Sequence, residues 1–177
     1  MKKKHAGFTL IEILATVTII GILFTMGIVS YINFNRKQMV SQSAKNIVNA
    51  LRQVQSNATR GVKDPLICGS TAASALTLEA WYFTMTSNSY TIYGLCSGSS
   101  TRFFEQTVTL PASSPLSYSL NPVSPTTAGP IKFYPLANGT SGNYTICVGG
   151  FGDSSNNYKI TVANMGEINE KGFYTCP

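Results

Sequence analysis

Residues 7–34 read GFTLIEILATVTIIGILFTMGIVSYINF, and this stretch decides the fold of the first part of the chain. It contains a single charged side chain, that of Glu12. The uncharged run at 13–32 is twenty residues long, enough for one helix to cross about 30 Å of hydrocarbon. Lysines at residues 2–4 precede the run and favour a cytoplasmic N-terminus. The sequence therefore predicts a single-pass helix over residues 8–34 that carries the rest of the chain to the external side.

Two other interpretations of the apolar run compete. A secretory signal peptide would also begin with lysines, but the run is longer than a usual signal core and no A-x-A-like cleavage site follows it. A plain membrane anchor explains the length of the run but neither the Gly7–Phe8 junction nor Glu12. A carboxylate at bilayer depth costs about 2.5 to 3.5 kcal/mol on insertion scales, so Glu12 needs a compensating partner.

A helical pattern continues through residues 35–61. Apolar residues recur there at steps of three and four, with polar residues between them, and they are Val40, Ala44, Ile47, Val48, Leu51, Val54 and Ala58. This spacing predicts an amphipathic helix that buries one face. Gly61 is a suitable C-terminal cap and Pro65 prevents the helix from continuing.

The remainder, residues 62–177, has the pattern of a β-rich head. Segments rich in β-branched and aromatic residues alternate with turns, and they are Leu76–Thr86, Tyr90–Cys96, Thr107–Leu110, Ile131–Tyr134, Tyr144–Val148 and Tyr158–Val162. The proline-rich stretch 111–130 is expected to be a long surface loop. The predicted fold class is α+β, with a long N-terminal helix, first transmembrane and then amphipathic, packed on antiparallel strands.

The cysteines all lie in the head, and none forms the C-x-x-C pair that metal sites and redox motifs usually contain. On the external side of a membrane, four such cysteines favour two disulfides. Three connectivities are possible. We favour Cys68–Cys96 with Cys147–Cys176, because each pair closes a loop of under 30 residues.

The start of the apolar run is similar to a known signal. GFTLIE at residues 7–12, after a short basic leader and before an apolar helix, resembles the signal of type IV prepilins and type II secretion pseudopilins. The resemblance implies that a prepilin peptidase cuts between Gly7 and Phe8, releases residues 1–7 and methylates the new amino group of Phe8. It implies further that the helix stays attached and joins other pilins in a filament, at an assembly platform in the bacterial inner membrane.

This resemblance gives Glu12 a role in assembly. In a stack of parallel helices, the ammonium at Phe8 of one subunit would approach Glu12 of its neighbour. Such a pair would relieve two buried charges and fix the axial step between subunits. A Glu12 side chain that reaches out to the membrane interface is the alternative.

Weaker similarities concern the head. The text KNIVNALRQVQS at 45–56 and Ile160-Thr161-Val162 resemble the H-type pseudopilins and the FimT-like minor pilins. The leading interpretation is a minor structural subunit of a type II secretion pseudopilus. A minor type IV pilin for pilus priming or adhesion is the second, and a DNA-uptake pilin the third. Val29 departs from the proline that many members carry, and 166–169 lacks the arginines of DNA-uptake pilins.

The charge and histidine content argue against nucleic-acid binding and against an enzyme. The net charge of +6 comes from 13 Lys and Arg against 7 Asp and Glu. Loss of residues 1–7 removes three of these lysines and also His5, the only histidine. The acidic residues that remain are spread along the chain, so no catalytic constellation is expected. We accordingly expect no catalytic residue, no cofactor and no metal site.

Overall fold

The computed structural model describes residues 7–69, 76–86, 89–110, 118–122, 129–136, 139–150 and 157–174. The chain divides into two compact units, Met1–Gln38 and Met39–Pro177. Helix α1, Leu10–Thr59, contributes to both of them. After α1 come a short helix α2, Pro65–Cys68, and antiparallel strands. The α+β prediction is therefore confirmed.

In the first unit, α1 has no buried face. Every side chain of α1 that the structure describes between Leu10 and Gln38 is exposed. Among the residues described, no helix is both long enough and apolar enough to cross a membrane.

In the second unit, α1 buries one face against the head. All the apolar positions that the helical spacing selected, from Val40 to Ala58, are buried, which confirms the amphipathic prediction. They share one core with residues of both sheets, including Trp81, Phe83 and Ile160. Because each such large side chain stabilises the fold by about 1.5–3 kcal/mol when buried, packing fixes this part of the helix.

Helix α1 ends close to Gly61, the residue that was predicted to cap it. Gly61 adopts φ 65°, and the amide of Val62 donates to the carbonyl of Asn57 at 2.9 Å. A residue with a side chain would be strained at this φ, so Gly61 closes α1 at low cost. Asp64 then caps α2, since its carboxylate accepts a hydrogen bond from the amide of Leu66 at 2.8 Å.

The described strands form two antiparallel sheets of four strands each. The first has the order β3-β2-β1-β5, with β1 Leu78–Met85, β2 Ser89–Cys96, β3 Phe103–Thr109 and β5 Ile131–Phe133. The second has the order β4-β6-β7-β8, with β4 Tyr118–Pro122, β6 Tyr144–Gly150, β7 Tyr158–Val162 and β8 Ile168–Phe173. Strands β1 and β2, which match the predicted segments Leu76–Thr86 and Tyr90–Cys96, pair antiparallel from Leu78 with Cys96 to Met85 with Tyr90.

Two parts of the strand prediction were wrong. The segment 111–130 was expected to be a loop, but Tyr118–Pro122 is strand β4 and pairs with β6. Its proline is the last residue of an edge strand, a place where a missing N–H is tolerated. Strand β8 was not predicted, because Asn169, Glu170 and Lys171 have weak strand propensity. Residues 111–117 and 123–128 lie outside the described residues.

Two long-range side-chain bonds fix the second part of α1 and its end to the head. The amide nitrogen Nε2 of Gln55 donates to the carbonyl of Gly166 at 2.7 Å. The indole N–H of Trp81 donates to the carbonyl of Val62 at 2.9 Å. Both donors reach backbone acceptors that the strands leave free, so they hold the loop before β8 and the end of the helix in place.

Candidate functional site

The predicted processing segment is the start of α1. Residues 7–9 are not helical, and the helix begins at Leu10. The carbonyl of Thr9 accepts hydrogen bonds from the amides of Glu12 at 3.1 Å and Ile13 at 3.3 Å, so Thr9 is the N-cap residue. Its hydroxyl also lies 3.5 Å from Oε2 of Glu12. Glu12 therefore occupies the first turn, where the helix dipole favours a negative charge.

Gly7 and Phe8 are accessible on both sides of the predicted cleavage point. The side chain of Phe8 is 79% exposed. A Cβ atom placed on Gly7 would meet nothing within 4 Å. The folded chain therefore does not itself require a glycine at position 7. A requirement for glycine would come from an enzyme that holds the backbone closely.

The helix beyond this start has large exposed apolar side chains. They include Leu10 at 82% exposure, Ile11 at 76% and Phe24 at 69%. Ile20, Leu23, Phe24, Ile28 and Tyr31 line a shallow apolar groove on the helix surface. Soluble monomers rarely expose so large a continuous apolar surface, and such surfaces mark contacts with proteins or lipid.

Two polar side chains within this apolar surface are bonded to their own helix. The hydroxyl of Thr16 donates to the carbonyl of Ile13 at 2.9 Å, and that of Thr18 donates to the carbonyl of Ala15 at 2.8 Å. Neither hydroxyl needs water, so both fit an apolar environment. Glu12 is different, because within the described residues its carboxylate has only the Thr9 hydroxyl as a side-chain partner.

The arrangement combines an accessible Gly-Phe junction, a capped acid in the first turn and an apolar helix surface. Residues 2–28 match the prokaryotic N-terminal methylation motif. The methylation motif is a type IV pilin-like signal that implies processing by a prepilin peptidase and assembly into a filament. It also suggests a membrane-anchored precursor. No match to the chain was found among curated proteins or among solved structures.

The predicted disulfides lie away from the methylation motif, in the head. Cys68 and Cys96 form one, with 5.7 Å between their Cα atoms, and it joins α2 to the end of β2. Cys147 in β6 is also disulfide-bonded. Its predicted partner, Cys176, lies outside the described residues, so the pair Cys147–Cys176 stays a prediction.

Thr9 is a functional candidate that the sequence reasoning missed. A threonine three residues before a glutamate is the spacing of a helix-capping box, and the signal was present in the text Thr9-Leu10-Ile11-Glu12. Its position at the helix start links Thr9 directly to the acid of the motif. The two residues therefore form one local unit.

Proposed function

We propose that this chain is a non-enzymatic minor subunit of a type II secretion pseudopilus. It is made as a membrane-anchored precursor with a cytoplasmic N-terminus. Cleavage between Gly7 and Phe8 and methylation of Phe8 give the mature subunit. The apolar part of α1 then joins the core of a filament, and the head lies on the external side.

The exposed apolar surface of α1, which begins directly at the methylation motif, carries the proposal. Apolar surface left in water costs about 25 cal/mol for each Å², so these side chains need an apolar environment. Lipid would supply it before assembly, and the equivalent helices of neighbouring subunits would supply it in the filament. The self-bonded hydroxyls of Thr16 and Thr18 are compatible with both.

Glu12 distinguishes assembly from simple anchoring. A lone carboxylate only opposes the transfer of one helix into lipid. In a filament, the mature ammonium of Phe8 from a neighbouring subunit can approach it, and the pair is stabilised in a low dielectric. Since Glu12 sits in the first turn, close in sequence to Phe8, a small axial offset between helices brings the two charges together.

The secretion system is proposed on the resemblance of segment 45–56 of α1 and segment 160–162 of the head to H-type pseudopilins. Deletion of the gene for this chain in the host organism tests the assignment to a secretion system. The account predicts that exoproteins accumulate behind the outer membrane while surface pili remain, and that the wild-type gene restores secretion. Loss of pili with normal secretion would instead assign the chain to a type IV pilus.

Filament assembly itself is tested with an epitope-tagged full chain that is crosslinked in the membrane before fractionation. The account predicts that the tagged chain copurifies with other filament subunits, and that the variant Glu12→Leu does so far less. Glu105→Gln is the matched control, because Glu105 lies in β3 of the head. A tagged chain that never enters filaments in any strain would overturn the proposal.

A further inference from the structure

Strand β3 is at an edge of the first sheet and pairs only with β2. In an antiparallel strand, alternate residues direct their N–H and C=O groups away from the neighbouring strand. For β3, no backbone partner for those outward groups lies within the part of the chain that the structure describes. Within the described residues, the outer edge of β3 is therefore unpaired.

This edge is weakly protected against strand addition over its second half. Residues 106–109 read QTVT and carry neither a charge nor a proline. The usual protective features, a charged residue and an irregular backbone, lie at its beginning, at Glu105 and at Phe104 with φ 49°. Natural proteins commonly cover or charge an open edge. Residues 106–109 carry no charge, and no described strand other than β2 pairs with them.

Strand β8, one of the two edges of the second sheet, provides a comparison within the same molecule. It carries Glu170 and Lys171, and Gly172 adopts φ 77°. Its register with β7 is interrupted between Lys159 and Ile160. This edge has the charge and the irregularity that prevent strand addition. Of these two edges, the second half of β3 is therefore the less protected.

A polar cleft of about 200 Å³ lies beside this edge, between β3 and α1. Carboxamide side chains line it: Asn46, Asn49 and Gln53 from α1 and Gln106 from β3. The apolar residues that complete the lining are Ala50, Ile92 and Val108, and no charged side chain takes part. A carboxamide both donates and accepts hydrogen bonds, so the cleft suits an uncharged ligand with peptide-like groups.

Tyr90, which also lines the cleft, is a second and independent indication of a ligand. Its side chain is only 6% exposed, and its ring stacks on Phe83 at 5.3 Å. No described residue offers its hydroxyl a hydrogen bond. Burial raises the pKa of Tyr90. Buried polar groups normally have partners, and a bound ligand would supply this one.

We propose that the edge of β3 and the carboxamide cleft bind an extended, uncharged peptide segment of a partner protein. The segment would add to the first sheet beside β3 by backbone pairing. Every second side chain would enter the cleft, and asparagine, serine or threonine there could bond to Asn49, Gln106 and the hydroxyl of Tyr90. An acidic or basic segment would find no opposite charge in the lining. The inference does not depend on the N-terminal motif.

Fluorescence anisotropy with the full-length chain in detergent tests this proposal. The probe is a labelled octapeptide in which asparagine alternates with valine and threonine. Its control is the same peptide N-methylated at every internal residue, because those backbone amides can no longer donate hydrogen bonds to β3. The proposal predicts that the first peptide binds and the second does not. Binding of both peptides, or of neither, would overturn it.

Variants of the cleft test its side chains. Tyr90→Phe keeps the ring, and its stability should stay close to wild type because none of the described residues bonds to the hydroxyl. Its affinity for the octapeptide should fall. The double variant Asn49→Ala with Gln106→Ala should lose about fivefold or more in affinity for the same peptide. Gln42→Ala, an exposed carboxamide of α1 outside the cleft, is the control.

Three further results would contradict the proposal. Equal affinities for the wild type and the cleft variants would remove the cleft from the binding site. An effect of Gln42→Ala as large as that of the double variant would indicate a general loss of structure. Self-association of the chain that blocks the octapeptide and is lost in the cleft variants would assign the edge to a second copy.

Discussion

The hydroxyl of Thr9 lies 3.5 Å from Oε2 of Glu12 across the first turn of α1. The main-chain carbonyl of Thr9 also accepts a hydrogen bond from the amide of Glu12. The cap of the helix and the acid of the methylation motif are therefore neighbours in space as well as in sequence. We therefore expect the hydroxyl of Thr9 to influence the position of the Glu12 carboxylate.

Replacement of Glu12 by leucine should separate assembly from membrane insertion. We expect insertion of the precursor and cleavage after Gly7 to remain, because an apolar side chain suits the run better than a carboxylate. Filament incorporation should fall severalfold or more, since the loss of one partner of a buried pair typically costs about 3–5 kcal/mol. Crosslinking and copurification measure incorporation. If Glu12→Leu entered filaments as well as the wild type does, the charge-pairing hypothesis would be wrong.

Replacement of Thr9 by valine should have a smaller effect in the same direction. Valine keeps the branched shape but removes the hydroxyl, and loss of a capping side chain costs about 1 kcal/mol. Cleavage should be normal and incorporation should lie between that of the wild type and that of Glu12→Leu. Thr9→Ser retains the hydroxyl and is the control. If serine and valine behave alike, the hydroxyl has no part in assembly.

Removal of the disulfide Cys68–Cys96 should destabilise the head. The bond closes a separation of 28 residues, for which the chain-entropy model gives about 3.5 kcal/mol. The double variant with serine at both positions should unfold at lower denaturant concentration than the wild type under oxidising conditions. Addition of a reductant should largely remove the difference.

Non-reducing peptide mapping is the control for that experiment. It should recover the Cys68–Cys96 peptide and, as the sequence predicts, a Cys147–Cys176 peptide. A crossed pairing in solution would contradict the predicted connectivity. Free thiols at all four positions would contradict the external location of the head.

Alkaline pH should weaken the head through Tyr82. Burial, and then its hydrogen bond to Oε1 of Glu79 at 2.7 Å, raises the pKa of Tyr82 above the usual 10.0. Between these pKa values the unfolded chain loses the proton while the folded chain keeps it, so stability falls as pH rises above about 10. Denaturant unfolding at several pH values measures the fall. Tyr82→Phe should lessen it, and an unchanged pH dependence would contradict this origin.

Much of the helix and sheet structure could be predicted because the responsible signals are local. The three- and four-residue spacing from Val40 to Ala58 selects the buried face of α1, and Gly61 marks its end. Enrichment in aromatic and β-branched residues predicted β1 and β2. Each of these signals lies within one helix or one pair of consecutive strands.

The parts that the sequence did not predict depend on distant partners. Tyr118–Pro122 is flanked by prolines and becomes a strand by pairing with β6. Strand β8 is polar, and pairing with β7 forms it. The polar cleft joins α1 to β2 and β3, elements that are far apart in sequence. Neither pairing nor the cleft has a signal in a short window.

The most direct test of the account is the N-terminus of the mature protein, purified from the membranes of its host and measured by intact-mass and peptide mass spectrometry. The account predicts that the first residue is Phe8 and that its amino group carries one methyl group. Inactivation of the prepilin peptidase should leave residues 1–7 attached. A mature chain that keeps Met1 in the presence of the peptidase, or one that begins after Ile32, would contradict the central claim.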